Sequence, residues 1–179
     1  RFDEKPLAAA SIGQVHRATT DDGREVVVKV QYPGVDEAVD SDLSHLRFAL
    51  RASGLVKFKK QALDALFDEL RTRLHEELDY CNEADNVRFF HDYYKDNPKV
   101  VVPEVIGERS SQHVLTLSYE PGDHVDDTGE YSEALRCELG ETLFRTVCDQ
   151  VFNLQVIHAD PNPANFAFRS DGRLVFYDF

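Results

Sequence analysis

The sequence of 179 residues predicts an α+β fold in which an antiparallel sheet comes first, and long helices and a second strand pair follow. Two observations lead to this prediction. Strand-like runs occur in pairs around short polar turns, which is typical of antiparallel hairpins. Between the pairs, apolar residues recur every three or four positions, as they do in helices that pack one face against a core.

The chain opens and closes on a predicted hairpin. In each hairpin an Asp-Gly pair separates two β-rich runs, because glycine readily adopts the positive φ that a tight turn needs. The four runs are residues 13–19, 24–31, 167–168 and 174–177. Two further strands, at residues 99–105 and 113–118, are expected to complete a small sheet.

Three helices are predicted between these strands, the first over residues 35–52 and the third over residues 131–154. The second is expected to face a core and to extend towards Tyr94, before Asn97 and Pro98 end it. The apolar stripe of the second helix is Leu63, Leu66, Phe67, Leu70, Leu74 and Leu78, and that of the third is Leu135, Leu139, Leu143, Val147 and Val151.

Composition excludes several classes of function. The 33 acidic residues outnumber the 20 lysines and arginines, so a net charge of −13 leaves no basic surface for nucleic acid. No apolar run approaches the ~20 residues that a membrane-spanning helix needs. The three cysteines lack C-x-x-C spacing, which argues against a zinc site or a disulfide framework and for a reducing, cytoplasmic compartment. Because methionine is absent, we expect the chain to be a piece of a longer polypeptide.

The most informative segment is residues 156–166, which brings His158, Asp160 and Asn165 into one loop. Its two prolines are expected to hold Asp160 and Asn165 in a defined orientation. Asp178 follows at the end of a hydrophobic strand. An aspartate, an asparagine five residues on and a second aspartate beyond a hairpin form the set that phosphoryl transfer uses. It offers a carboxylate near the nucleophile and oxygen ligands for Mg²⁺. The alternative is that Asp160 and Asn165 only cap turns.

Lys29 is flanked by valines in the second strand, so its charge needs a carboxylate or a phosphate if it is buried. On one continuous helix, Glu76, Asp79 and Glu83 lie within about 60° of one another. Glu77 projects to the side. The acidic helix is therefore expected to supply the partner of Lys29. The alternatives are an edge-strand lysine that reaches water and an acidic helix face that is simply solvated.

A segment of small residues, Ala8, Ala9, Ala10 and Ser11, leads into the first strand. Small side chains let backbone N–H groups approach a phosphate closely, although alanines do so less freely than glycines. The segment is therefore a candidate phosphate-binding loop, with an ordinary alanine-rich turn as the alternative.

Taken together, these segments resemble the UbiB/AarF-type atypical kinase family, a protein-kinase-like group associated with ubiquinone (coenzyme Q) biosynthesis. The resemblance covers nearly the whole chain and rests on five motifs in a fixed order. They are AAASIGQVH at 8–16, VKVQYPGV at 28–35, ELDY at 77–80, HADPNPANF at 158–166 and DF at 178–179. The family's K-x-G-Q element is absent from the sequence.

The resemblance implies a protein-kinase-like fold of two lobes. Residues 1–120 would form the N-terminal, nucleotide-binding lobe, with an antiparallel sheet and helices. Residues 121–179 would form only the start of the C-terminal lobe, with the catalytic loop and the metal-binding strand. The implied cofactors are ATP and Mg²⁺.

Roles for individual residues follow from the same resemblance. Asp160 would occupy the catalytic-loop position, and Lys29 would bind the α- and β-phosphates with Glu83 as its ion-pair partner. Glu77 and Asp79 would form the family's E-x-D element. The resemblance also implies two sets of contacts to the nucleotide. One is from the small-residue segment, with Ala8, Ala9, Ala10, Ser11 and Gln14, and the other is from the interlobe hinge, with Ser118, Tyr119 and Glu120. The implied ligands of Mg²⁺ are Asn165 and Asp178.

The function implied is an ATPase or small-molecule kinase that supports isoprenoid-quinone synthesis. Its partners would be ATP, an unidentified small-molecule or lipid acceptor such as a quinone precursor, and quinone-biosynthesis proteins. The family often works at membranes, although this acidic sequence has no anchor or polybasic patch. Two alternatives stay open, namely a nucleotide-gated scaffold without turnover and an aminoglycoside- or choline-type phosphotransferase, which shares the H-x-D-x-x-x-x-N pattern.

Overall fold

Two sheets and four α-helices make up the fold in the computed structural model, which describes residues 1–10, 12–53, 60–158, 160 and 162–177. The strands are β1 (Ala8–Ala9), β2 (Gly13–Thr19), β3 (Glu25–Gln31), β4 (Val100–Val101), β5 (Val114–Ser118), β6 (Phe166–Phe168) and β7 (Leu174–Phe176). The helices are α1 (Val35–Ser53), α2 (Lys60–Glu77), α3 (Tyr80–Tyr94) and α4 (Glu133–Asp149).

The first sheet is antiparallel, with strand order β1-β2-β3-β5. The predicted hairpin is confirmed, because β2 and β3 pair along their whole length and Gly23 adopts a φ of +87° in the turn. On the other side of β3, the strand predicted at residues 113–118 pairs with it as β5. The inward side chains Leu115 and Leu117 of β5 are fully buried and begin the core.

The second sheet has the order β4-β7-β6, with β4 parallel and β6 antiparallel to β7. The closing hairpin is therefore confirmed. The expectation that residues 99–105 and 113–118 complete one sheet is confirmed only at Val105, which forms an antiparallel bridge with Leu117 of β5. The rest of that expectation was wrong, because β4 contains only two residues and pairs in the other sheet. Pro103 has no N–H for a ladder and is buried just beyond β4, which explains why the strand is short. One sheet thus contains segments from both sides of the predicted boundary at residue 120.

Helix α1 occupies the predicted range and packs on α2, where Asp40 accepts two hydrogen bonds from Arg71, at 2.8 and 2.7 Å. The apolar stripe of α2 is covered only in part. Its residues Leu63 and Phe67 are buried, whereas Leu66, Leu70 and Leu74 are exposed, contrary to expectation.

The predicted long helix ends early and a new helix begins, so its extension to Tyr94 as one helix was wrong. Asp79 interrupts it with φ −101° and ψ 98°, and its carboxylate accepts a hydrogen bond from the Cys81 backbone N–H at 2.9 Å. Aspartate is favoured at this N-cap position because its side chain satisfies an N–H that the first turn leaves free. The break re-aims α3 relative to α2.

Helix α3 forms the centre of the core and contacts both sheets. Its buried residues are Tyr80, Ala84, Val87, Phe90 and Tyr94, at the three- and four-residue spacing of one helix face. They pack with Leu115, Leu117 and the buried residues of β6 and β7. Helix α3 therefore joins the two sheets.

Helix α4 begins after Ser132, whose hydroxyl accepts a hydrogen bond from the Leu135 N–H at 3.2 Å. It continues as a π-turn over Gln150–Leu154 and stops at Gln155, which has a left-handed φ of 59°. Leu139 of its predicted stripe is buried, but Val147 and Val151 are exposed, so the stripe as a whole does not face this core. In the described part of the chain, no helix is long and apolar enough to cross a membrane.

Tyr94 connects the end of α3 to α4, since its hydroxyl donates to the Asp149 carboxylate at 3.1 Å. Burial, and then the charge of Asp149, raise the pKa of the Tyr94 hydroxyl. A raised pKa means that the stabilisation is complete below the tyrosine pKa of the unfolded chain and is lost as the pH rises above it.

We expect the free energy of unfolding to fall above pH ~10 by up to about 1.4 kcal/mol per pH unit from Tyr94 alone. Urea unfolding of the intact protein at a series of alkaline pH values measures this slope. Tyr94→Phe should flatten it, whereas Tyr32→Phe, at an exposed tyrosine, should not. Equal slopes in the wild type and Tyr94→Phe would contradict the prediction.

Candidate active site

Lys29 and Glu83 form an ion pair between the first sheet and α3. The two side chains are only 15% and 16% exposed. Lys29 lies opposite Val15 of β2 and Leu115 of β5, so it is on an inner strand and the edge-strand alternative is wrong. Glu83 reaches it from the first turn of α3. A pair so far removed from water is held in one geometry more strictly than a surface pair.

The helix break changes how the acidic residues are arranged. Glu77 is the last residue of α2 and is exposed, Asp79 is the N-cap of α3, and Glu76 pairs with Arg73 at 3.0 Å. The arrangement of Glu76, Asp79 and Glu83 on one helix wheel was therefore wrong. All three nevertheless line one open groove of about 480 Å³ beside the Lys29 ion pair, and Glu77, which was expected to project to the side, lines it as well.

The small-residue segment is partly a strand. Ala8 and Ala9 are exposed and form β1, and the Ala10 N–H donates to the Gly13 carbonyl at 2.9 Å. A Cβ at Gly13 would lie 2.3 Å from the carbonyl oxygen of Val30, so only glycine lets this turn approach β3 next to Lys29.

Two other predicted nucleotide contacts belong to this segment. The side-chain oxygen of Gln14 lies 3.2 Å from Nε2 of the buried His16. Ser11 lies outside the described residues. The structure thus places Ala8 and Ala9 on the edge strand β1, followed by Ala10, and Gln14 opposite Ala9 on β2, in the sheet that carries Lys29.

The predicted hinge, residues 118–120, leaves the first sheet at the end of β5. The Tyr119 N–H donates to the Glu25 carbonyl at 3.0 Å, and the guanidinium of Arg17 lies 4.3 Å from the centre of the Tyr119 ring. The Ser118 hydroxyl donates to the Glu120 carboxylate at 3.1 Å. Tyr119 is therefore attached to the first sheet by both its backbone and its ring.

The catalytic-loop candidates are in direct contact. Asn165 Nδ2 donates to Asp160 Oδ2 at 2.7 Å, and the Asn162 N–H donates to Asp160 Oδ1 at 3.1 Å. Asp160 thus caps a turn, as the alternative expected, and the same contacts orient its exposed carboxylate. The ring of His158 packs edge-on against Phe166, with ring centres 5.5 Å apart.

Gln150 supports the entry to this loop. It is completely buried in the π-turn, and its side-chain oxygen accepts a hydrogen bond from the His158 N–H at 2.9 Å. The spacing of the sequence did not single out this residue. The only signal was a glutamine on the apolar side of a predicted helix, where a buried amide needs a polar partner.

The donor set is consistent with Mg²⁺ by its chemistry. Asn165 uses its amide nitrogen towards Asp160, which leaves its side-chain oxygen as an acceptor, and hard oxygen ligands are those that Mg²⁺ prefers. Asp178, the other predicted ligand, lies outside the described residues. Within the described ranges, no three His, Cys, Asp or Glu side chains are close enough to hold a metal ion.

Comparison with known proteins identifies the family. The family model of the ABC1 atypical kinase-like domain matches residues 1–179. The chain belongs to this family. This confirms the resemblance to the UbiB/AarF-type atypical kinases, and the α+β kinase-like fold with it.

Relatives and a solved structure agree with the assignment. The chain is 40% identical to the mitochondrial atypical kinase coq-8 of Caenorhabditis elegans over 99% of its length, which is 24% of that protein. It is 38% identical to mitochondrial COQ8 of Saccharomyces cerevisiae over 94% of its length, or 33% of that protein. It is also 38% identical to the chloroplastic protein Activity of BC1 complex kinase 8 of Arabidopsis thaliana over its whole length, or 24% of that protein.

The structure is similar to that of Rv3197 from Mycobacterium tuberculosis in its complex with erythromycin. The TM-score is 0.83 and the identity 36%, over 99% of this chain and 45% of that one. The chain thus spans a quarter to a third of these curated relatives and less than half of the solved one. The three curated relatives are named as mitochondrial or chloroplastic. These names do not support the cytoplasmic location inferred from the cysteines, which stays a prediction.

We expect Asp79 to stabilise the protein through its N-cap rather than through its charge. Asp79→Ala should lower the free energy of unfolding by about 1 kcal/mol, because the Cys81 N–H loses its acceptor. Asp79→Asn keeps a capping oxygen and should change it by only a few tenths of a kcal/mol. Urea unfolding of the intact protein measures both, and equal losses in the two variants would show that the charge is what matters.

Lys29 and Glu83 should be energetically coupled. A double-mutant cycle of Lys29→Met and Glu83→Gln is expected to give a coupling of about 1–3 kcal/mol, because each charge alone would be left nearly buried. The exposed pair Arg73 and Glu69 is the control and should give less than about 0.5 kcal/mol. Thermal and urea unfolding measure both cycles, and similar couplings would contradict the prediction.

Proposed function

We propose that this chain is the nucleotide-binding part of an atypical kinase-like enzyme that uses Mg-ATP as a small-molecule kinase or ATPase. The observation that carries the proposal is the Lys29–Glu83 ion pair on an inner strand of the first sheet. A lysine held there by a carboxylate has a fixed ammonium group, which suits it to the α- and β-phosphates of a nucleotide. Membership of the ABC1 family supports the same role.

The catalytic loop supplies the base in this proposal. Asp160 is exposed, and its carboxylate is oriented by Asn165 and by the Asn162 N–H, so an acceptor hydroxyl or water can approach it. Asp160 orients that group and receives its proton, while Lys29 compensates charge on the phosphates. When bound, Mg²⁺ supplies further charge compensation there, with Asn165 and Asp178 as its ligands in this chain.

The nucleotide has two further regions of contact in the proposal. The small-residue segment covers the phosphates, and Gly13 permits its close approach to β3. The hinge contacts the adenine. The residues assigned to these regions are Ala8, Ala9, Ala10, Ser11 and Gln14, and Ser118, Tyr119 and Glu120. Glu77 and Asp79 line the groove beside Lys29 and would act as the E-x-D element.

The acceptor and the pathway rest on the relatives. Because coq-8 and COQ8 are named as atypical kinases and resemble this chain over nearly all of it, we assign the chain to the same isoprenoid-quinone pathway that the family resemblance implies. The acceptor is then a small molecule or lipid of that pathway, such as a quinone precursor. Quinone-biosynthesis proteins are the expected protein partners, with peripheral contact to the membrane that holds such lipids.

The first test is stabilisation of the intact protein by nucleotide. Mg-ATP should raise the melting temperature of the wild type, and Asp178→Asn should remove the increase because one metal ligand is lost. Asp171→Asn is the matched control, since Asp171 lies in the turn between β6 and β7 and, among the described residues, forms its ion pair with Arg173. The absence of an increase in well-folded wild type at millimolar Mg-ATP would overturn the proposal.

Turnover then separates an enzyme from a nucleotide-gated scaffold. If the wild type hydrolyses ATP or phosphorylates a lipid acceptor, we expect Asp160→Asn to lose at least about 100-fold in rate while it still binds Mg-ATP. Binding without turnover in the wild type would favour the scaffold. A rate that increases only with an aminoglycoside or choline would point to the other phosphotransferase class.

A further inference from the structure

The closing hairpin, β6 and β7, is tightly joined to the second half of the hinge by side chains. Arg169 Nη2 donates to the Glu120 carboxylate and Arg169 Nε to the Pro121 carbonyl, both at 2.7 Å. The Tyr177 hydroxyl donates to the Glu120 carbonyl, also at 2.7 Å. The Arg169 side chain is 13% exposed, so its pair with Glu120 is largely shielded from water.

Backbone contacts join the same two segments. The N–H of Asp123 donates to the carbonyl of Phe168 at 2.7 Å, and the N–H of Phe168 donates back to Asp123 at 2.9 Å. A Cβ at Gly122 would lie 2.7 Å from the Cβ of Ala167, so the chain here runs as close to β6 as glycine allows. Residues 120–123 therefore follow the edge of β6 rather than forming a free linker.

Tyr177 spans the distance between the two ends of the proposed nucleotide site. Its backbone N–H donates to the Asn165 carbonyl at 3.0 Å, and its hydroxyl reaches the Glu120 carbonyl. Asn165 belongs to the phosphate and metal end, and Glu120 to the adenine end. One residue thus has hydrogen bonds to both ends, and Arg169 adds two more bonds at the adenine end.

We propose that Arg169 and Tyr177 are positioning residues that hold the hinge at one distance from Asp160 and Asn165, so that adenine and triphosphate can bind at the same time. This inference rests on the proposed function. The affinity of a ligand that contacts both ends of the site depends on this distance, because both sets of contacts must form at once. The affinity of a ligand that contacts only the phosphate end does not.

The two classes of ligand give the test. Loss of one such hydrogen bond in Tyr177→Phe should weaken Mg-ATP roughly three- to tenfold and leave the Kd of Mg-tripolyphosphate, which lacks adenine, unchanged within twofold. Isothermal titration with the intact protein measures both constants. The control is Arg173→Ala in the same hairpin. Its guanidinium donates to Asp171, not to the hinge, among the described residues, so the variant should leave both constants unchanged within twofold.

The ratio of the two constants separates positioning from a general structural role. The inference would be overturned if Tyr177→Phe weakened the binding of both ligands by the same factor. It would also be overturned if Tyr177→Phe and Arg173→Ala had the same dissociation constants. If Tyr177→Phe does not fold, Arg169→Lys replaces it, because an ammonium cannot donate to Glu120 and Pro121 in the forked geometry of a guanidinium. A wild type that binds neither ligand would overturn the proposed function as well. If the wild type binds both ligands and the variant has the same ratio of the two dissociation constants as the wild type, only this inference is overturned.

Discussion

The ion pair of Lys29 and Glu83 is the interaction on which the rest of the candidate site depends. It joins the middle of the first sheet to the first turn of α3, and both side chains are largely removed from water. Burial of two charges is unfavourable unless each has its partner in good geometry, so the pair constrains how α3 sits on the sheet. The break at Asp79 contributes to this orientation. Because α3 begins as a separate helix just before Glu83, its axis need not continue that of α2.

The two sheets are less separate than the two-part division of the chain suggests. Strand β4 precedes the hinge in the sequence but pairs with β7, and α3 packs against both sheets. The hinge is attached at each side, to Glu25 through Tyr119 and to the closing hairpin through Glu120. Lys29, Glu83 and Asn165 are therefore carried by segments that contribute to one continuous core.

Most elements could be predicted from the sequence because neighbouring residues determine them. The remaining features depend on contacts between residues that are far apart in the chain, and these could not be predicted. The hairpin turns were readable because Asp-Gly pairs have strong backbone preferences. Asp79 looked like one more residue in a helix, since the periodicity on both sides is similar and only the cap distinguishes a break. Which sheet β4 joins depends on packing far along the chain. The motif spacing drew attention to Asp160 and Asn165, but Arg169 and Gln150 lie outside the motifs and are recognised only by what they contact.

The attachment of α3 at its far end restricts how it can move. Tyr94 is hydrogen-bonded to α4, and the chain enters the second sheet a few residues later. Glu83 lies eleven residues earlier, roughly 16 Å along the axis. The near end is attached as well, because the N–H of Tyr80, three residues before Glu83, donates to the Gln112 carbonyl at 3.0 Å. A tilt of about 10° about the Tyr94 end would move the Glu83 carboxylate about 3 Å from Lys29, and it would also have to break this bond. The geometry of the ion pair is therefore fixed by two attachments of one helix, and a variant that loosens either of them should change the distance between Lys29 and Glu83.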